Sequence, residues 1–261
     1  MAYQFMLYEV ANHIANITLN RPEVRNSLSA ELMEEIIQAL AASKRDPEVR
    51  VVVIRGAGGK AFCAGADLGK VGEKSSNIIE MRAHLSKYAD LILALADVGK
   101  PTVAAVQGYA LAGGCGLAVA CDLTIASEKA KFGVPEVNVG LWGMIITAPI
   151  FRAVSMKKGL ELFYTGKHID AYEAEKIGMV NKVVPHESLA EETLSLASEL
   201  ASKSPLAMRM GREAYYTSRD MEYTKAVKYL REMVTPLACS EDCQEGITAF
   251  LEKRKPQWKG R

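Results

Sequence analysis

Two glycine-rich turns carry the most chemical promise in this sequence. One is Cys63-Ala64-Gly65-Ala66-Asp67 and the other is Ala112-Gly113-Gly114-Cys115-Gly116, each just after an apolar run. Small residues let backbone N–H groups point at a ligand without obstruction. If the turns converge, two such groups could grip one oxygen and stabilise an enolate developing on it. The same glycines also suit plain turns and close helix packing, and spacing alone does not decide between the two. Other chemical motifs are missing. No G-x-G-x-x-G follows a strand, no G-x-S-x-G elbow or H-E-x-x-H is present, and Gly59-Lys60 is followed by Ala61 rather than Ser or Thr. The four histidines are scattered at 13, 84, 168 and 186, so neither a metal centre nor a histidine-based triad is expected. The five cysteines are an odd count with no C-x-x-C pair, which argues against a disulfide framework and a zinc ribbon. Cys63 and Cys115 read as small packing residues rather than nucleophiles.

Strands and helices must aim those turns. Strands are expected at His13–Leu19, Val49–Ile54, Pro101–Gln107 and Asp122–Ser127, the last three apolar enough to be covered on both faces. Ser29 suits the N-cap of a helix with Leu32, Met33, Ile36, Ile37 and Leu40 on one face, ended by Asp46-Pro47. A second helix is expected over about 80–97, after a polar stretch at 69–80 that reads as the mobile loop. Strands thus alternate with helices to about residue 130, which favours right-handed βαβ units. Helical signals dominate beyond that. Asp170 caps a helix stopping at Gly178, Val180–Val184 forms a short strand, and Ser204-Pro205 is an N-cap and first-turn pair. Ser240 starts a last helix carrying Ile247, Phe250 and Leu251. The expected organisation is an α/β core over residues 1–200 and a helical region over 201–261.

Composition narrows the class. The 261 residues are 49% apolar and 24% charged, which is a globular balance. Net charge is only +1, so broad binding to nucleic acid or an anionic membrane is not expected. The first thirty residues hold no apolar signal core. The most apolar window, Val103 to Cys121, is interrupted by Gln107 and four glycines and does not read as a membrane span. A reduced, cytoplasmic protein is expected.

Six segments together resemble the enoyl-CoA hydratase/isomerase, or crotonase, superfamily. They are R-P-E-V-R-N-S-L (21–28), K-A-F-C-A-G-A-D-L (60–68), G-Y-A-L-A-G-G-C-G-L-A-V-A-C-D (108–122), F-G-V-P-E-V-N-V-G-L (132–141), T-G-K-H-I-D-A-Y-E-A (165–174) and E-G-I-T-A-F-L-E-K-R-K-P (245–256). The resemblance runs collinearly over nearly the whole chain. It implies a ββα spiral core and C-terminal helices that pack homotrimers, often paired as hexamers. It implies an acyl-CoA substrate, with coenzyme A entering as part of that substrate and no resident cofactor or metal. The oxyanion hole would be the N–H groups of Ala64 and Gly113. The CoA nucleotide would lie over Ala64 to Leu68, taking in Ala66, Asp67 and Leu68. Phe250 and Lys253 would belong to the substrate site from the last helix, Lys253 reaching a neighbouring subunit's CoA phosphate, with Arg25 as a further phosphate contact. Trp142, within Leu141-Trp142-Gly143-Met144, would line the acyl pocket or pack in the core. Phe62 and Tyr109 read as core residues.

The resemblance also locates the acid–base group. Hydratases of the family hold one water between two glutamates. The first position here is Gly116, and the second is Glu136, among Val134, Pro135 and Val137. A carboxylate among apolar neighbours tends to a raised pKa, which suits proton transfer near neutral pH. One base can move a proton between two carbons without holding a water, so the pattern favours double-bond isomerisation. Family members with an acid eight residues after the second glutamate are a poorer match, because Met144 stands there and Val137 to Leu160 holds no Asp or Glu. A hydratase would need a relocated acid such as Asp67, Glu73, Glu80 or Asp90. A catalytically worn acyl-CoA-binding protein is the remaining alternative.

Overall fold

The computed structural model describes residues 3–66 and 78–261, with Glu80 and His84 described in backbone only. Asp67, Leu68, Glu73, the Glu80 side chain and most of the stretch read as a mobile loop therefore lie outside the described residues.

Two sheets organise the chain. The larger joins β1 (Met6–Ala11), β2 (Ile14–Leu19), β3 (Val51–Gly56), β5 (Thr102–Val106), β7 (Leu123–Ser127) and β10 (Lys182–Val184), side by side in that order. Only the β1–β2 pair is antiparallel. The smaller joins β4 (Ala61–Cys63), β6 (Tyr109–Leu111), β8 (Lys131–Gly133) and β9 (His168–Asp170). β3, β5 and β7 are each followed at once by a strand of the smaller sheet. The first two such pairs lead into helices, α2 (Ile78–Asp97) and α3 (Gly113–Ala120). This repeated strand–strand–helix turn is the expected ββα spiral.

The large sheet is covered on both faces, and alternation along β3 shows why. Val52 and Ile54 join the main core with Leu32, Leu91, Leu117 and Phe132. Val51 and Val53 point the other way, onto Ala197 and Ala201 of α7 (Leu189–Ala201). Successive strand side chains face opposite ways, so a strand sandwiched between layers must be apolar throughout. Helix α1 (Ala30–Arg45) starts where Ser29 accepts the Leu32 N–H at 3.2 Å. Three further helices follow the β8 segment: α4 (Met144–Ala153), α5 (Met156–Thr165) and α6 (Ala171–Lys176). Asp170 caps α6 through the Glu173 N–H, as expected.

The chain closes with α8 (Pro205–Ser218), α9 (Tyr223–Ala238) and α10 (Glu241–Leu251). Ser204 and Ser240 cap α8 and α10. A buried network fastens α8 to the core. Arg212 pairs with Asp122 at 2.8 Å and donates to the Leu95 and Ala96 carbonyls at the end of α2. Tyr216 donates to the other Asp122 oxygen at 2.8 Å. No helix among the described residues is long and apolar enough to cross a membrane.

The strands of the smaller sheet, implied by the spiral, are not placed by periodicity, because each is only three residues long. One expectation needs correction. Tyr109, read as core, is 42% exposed and lies edge-on to His168. Phe62 is fully buried, as expected.

Candidate active site

The two glycine-rich turns meet. Gly65 has a φ of +99°, a left-handed conformation that glycine adopts without strain. A Cβ there would lie 2.8 Å from Ala112 Cβ and 3.5 Å from the Gly113 nitrogen, so a side chain would drive the turns apart. Gly114 permits an equally close approach, since a Cβ on it would stand 2.1 Å from the Cys63 carbonyl oxygen.

The backbone donors of the first turn are divided among distinct tasks. Ala64 N–H donates to the Arg25 carbonyl at 3.1 Å. Gly65 N–H is turned to the Cys63 sulfur. Ala66 N–H has no hydrogen-bond partner among the described residues. Ala64 is therefore withdrawn as an oxyanion donor, because its N–H is already committed within the fold. The open donor lies two residues on, at Ala66. The segment around Arg25 braces this turn from below: Leu28 N–H donates to the Gly65 carbonyl at 2.8 Å, and Asn26 Nδ2 donates to Ala57 and Ala61 carbonyls. The Arg25 side chain is exposed.

Gly113 begins α3, so its N–H has no acceptor within the helix and none elsewhere among the described residues. Its direction is set by Ala112, a non-glycine residue at φ 50° and ψ −128°. Such backbone costs about 1–3 kcal/mol and persists only where its surroundings over-determine it. Here Ala112 N–H is tied to the Gly133 carbonyl at 2.9 Å.

Glu136 lies in a short 3-10 turn, Pro135–Val139. Burial raises its carboxyl above the ordinary carboxylate range, opposed in part by its own backbone N–H. Its Oε2 is buried with no hydrogen-bond partner, the only such side-chain atom found among the described residues. Buried polar atoms in that condition cost stability and are a frequent mark of catalytic groups.

Gly116, where a second carboxylate would stand, is not an empty place. A Cβ there would lie 2.1 Å from Ile146 Cγ2 and 2.6 Å from the Tyr88 hydroxyl. Ile146 is 2% exposed and also reaches Gly143, whose Cβ position is 3.1 Å from Glu136 Oε1. An isoleucine thus fills the gap between Gly116 and the neighbourhood of Glu136. Neither Ile146 nor Tyr88 stood out in the sequence, because each is an ordinary apolar-face residue some thirty positions from Gly116. Asp90 is exposed on α2.

Other expected site residues are placed as follows. Trp142 is committed to aromatic packing, with Phe163 at 5.0 Å and Tyr164 at 5.6 Å, and its Nε1 donates to Thr147. Phe250 is 82% exposed near the end of α10, and Lys253 is exposed just beyond it. Burial pushes the Cys63 and Cys115 thiols up to about 12, so both stay protonated and unreactive. Among the described residues no cluster of His, Cys, Asp and Glu could hold a metal ion.

Comparison with known proteins gives the family and the fold. The enoyl-CoA hydratase/isomerase family model matches residues 9–261. A probable enoyl-CoA hydratase of Rhizobium meliloti (strain 1021) is 39% identical over 262 residues, covering 100% of both chains. The (E)-benzylidenesuccinyl-CoA hydratase of Thauera aromatica is 39% identical over 254 residues, covering 97% of this chain and 98% of that one. The crystal structure of enoyl-CoA hydratase from Bacillus anthracis superposes with a TM-score of 0.94 at 34% identity, covering 99% of this chain and 100% of that one. A buried unpartnered carboxylate, two converging turns with open N–H groups and a match over nearly the full length lead to one conclusion: the chain belongs to the enoyl-CoA hydratase/isomerase family.

Proposed function

We propose that the protein moves the double bond of an enoyl-CoA thioester, with Glu136 as its single acid–base group. The N–H groups of Ala66 and Gly113 receive the thioester oxygen. Glu136 takes a proton from C2 of a 3-enoyl-CoA, and the electron pair of that C–H bond moves into a dienolate whose charge rests on the thioester oxygen. The protonated Glu136 returns the proton at C4, the C3–C4 double bond shifts to C2–C3, and the 2-enoyl-CoA leaves. No water enters, so one carboxyl suffices. Donors aimed in advance at a developing oxyanion contribute most of the stabilisation in such sites.

The observation that carries the reading is the pairing of an orphaned Glu136 Oε2 with a second-acid position filled by Ile146. The relatives' names favour a second reading, hydration of a 2-enoyl-CoA, since both curated relatives above are named hydratases. That reaction adds a water oxygen to C3 and a proton to C2, and it needs a partner for Glu136 in holding the water. Purified protein offered matched 2-enoyl- and 3-enoyl-CoA thioesters decides between them. Turnover of the 3-enoyl substrate alone supports isomerisation. Hydration of the 2-enoyl substrate at a comparable rate overturns it.

We further propose that the chain works as a homotrimer or a pair of trimers. In support, α9 buries none of its own residues and exposes Tyr223, Val227, Leu230 and Val234. Soluble monomers seldom expose so long an apolar stripe. In that assembly Phe250 and Lys253 serve a neighbouring subunit's site, and Arg25, Asp67 and Leu68 attend the CoA nucleotide. Sedimentation in solution tests the assembly, and a monomer at micromolar concentration overturns it.

A further inference from the structure

We propose that Tyr88 is a positioning residue for this chemistry, holding Gly113 so that its N–H stays aimed at the thioester oxygen. The inference rests on the oxyanion reading above and extends it to a residue outside every motif discussed so far.

Tyr88 sits near the middle of α2 and is almost wholly buried. Its hydroxyl donates to the Gly113 carbonyl at 2.6 Å. Its ring lies against the same residue, with Cε2 and Cζ both 3.4 Å from the Cβ position of Gly113. The hydroxyl is also 2.6 Å from the Cβ position of Gly116, one helical turn on. One side chain therefore holds the first turn of α3 by a hydrogen bond, and its ring occupies the space beside Gly113 that a side chain would need.

That turn needs holding. Glycines at 113, 114 and 116 leave the start of α3 with little side-chain packing of its own. The strained Ala112 immediately before it would relax if unopposed. The Ala112 N–H bond to Gly133 fixes the peptide before the Ala112–Gly113 unit, and Tyr88 fixes the peptide after it, so the unit that carries the Gly113 N–H is held from both flanks. Burial and the neighbouring Cys63, Cys115 and Glu136 hold the phenol well above its ordinary pKa, so it stays a neutral donor. A donor that must not reorient during reaction is worth supporting from behind, since catalysis depends on sub-ångström placement.

The test is Tyr88→Phe, which keeps the ring and removes the hydroxyl. We expect kcat to fall about 10- to 100-fold, less than the loss of a whole oxyanion donor, with KM changed less than about twofold. A second readout is the C=O stretching band of 13C-labelled crotonyl-CoA bound to Glu136→Gln protein, where the expected loss of turnover keeps the ligand intact during the measurement. Binding should move this band to lower frequency, and adding Tyr88→Phe should shrink that shift while leaving the dissociation constant in place. Where Tyr88→Phe folds poorly, 3-fluorotyrosine at position 88 keeps the size and strengthens the donor, and it should enlarge the shift. An unchanged band and unchanged kcat would overturn the role of Tyr88 while leaving the oxyanion reading intact. No band shift in Glu136→Gln protein itself would overturn the oxyanion reading, and this inference with it.

Discussion

Gly116→Glu would install the carboxylate that the family's hydratases use, and the structure says that this change alone fails. The new Cβ would stand 2.1 Å from Ile146 Cγ2. Carbon atoms rest at about 3.5–4.0 Å, so Ile146 would have to retreat by about 1.5 Å. Ile146 is buried in the first turn of α4, and overpacking of this kind costs about 1–3 kcal/mol. Replacing a helical glycine returns about 0.5–1 kcal/mol, which does not close that gap. The carboxylate would also be buried near another, raising the pKa of one of them. Ile146→Ala removes the 2.1 Å contact, at about 2–5 kcal/mol when made alone, and leaves the residue-146 Cβ at 2.7 Å and the Tyr88 hydroxyl at 2.6 Å to give way by a smaller shift. In Gly116→Glu/Ile146→Ala the longer side chain occupies what the isoleucine vacates. Simple additivity, with the returned glycine term included, puts the double variant about 2–7.5 kcal/mol below the parent; we expect it at least about 1 kcal/mol better than additive, the sign of direct contact. Urea denaturation of the four proteins gives the cycle. Loss of conjugated-thioester absorbance with a 2-enoyl-CoA gives hydration, expected to rise at least about 100-fold in the double variant over Gly116→Glu. A Gly116→Glu protein as stable as the parent and as fast as the double variant would refute the reasoning.

Glu136→Gln should cut turnover about 10²- to 10⁴-fold with acyl-CoA affinity unchanged, measured by steady-state kinetics beside equilibrium binding. Because the carboxyl pKa is raised by burial, the base form is lost as pH falls through a value above the ordinary carboxylate range, so the acid limb of kcat/KM should lie correspondingly high. The raised value has a stability consequence as well. The folded state holds the proton more tightly than the unfolded chain, so this stabilisation is present at low pH and lost as pH rises through the folded pKa. Glu136→Gln should therefore melt at a higher temperature than the parent at neutral pH, read by calorimetry. Ala112→Gly should relieve the strained φ of 50° and gain stability, about 1 kcal/mol, while kcat falls through a looser Gly113. Arg212→Met should cost about 3–5 kcal/mol in denaturant, because the 7%-exposed guanidinium leaves Asp122 charged and unmatched.

Much of the fold was legible because local chemistry announced it. Ser29, Asp170, Ser204 and Ser240 each cap the helix they were expected to start, since an N-cap hydroxyl or carboxylate acts on an N–H only two or three residues away. The apolar runs at Val51, Thr102 and Leu123 became neighbouring parallel strands, since only a doubly covered strand tolerates such a run. Illegible features depended on distant partners. Which N–H of the first turn stays open is decided by the Arg25 carbonyl and the Cys63 sulfur, so the family resemblance pointed to Ala64 where the fold, among the described residues, leaves Ala66. What occupies the place beside Gly116 is decided by α2 and α4. A glycine in sequence reads as empty space, whereas here it is space given to Ile146.

The Arg212 network also has a reach beyond stability. Its guanidinium holds the carbonyls of Leu95 and Ala96, while Tyr88, about 10 Å back along the same helix at 1.5 Å per residue, holds Gly113. A stiff rod pinned at both points transmits small displacements. If Tyr88 positions Gly113 as proposed above, amino-acid exchanges in α8 should retune the reaction rate from outside the substrate pocket, a remote adjustment open to selection.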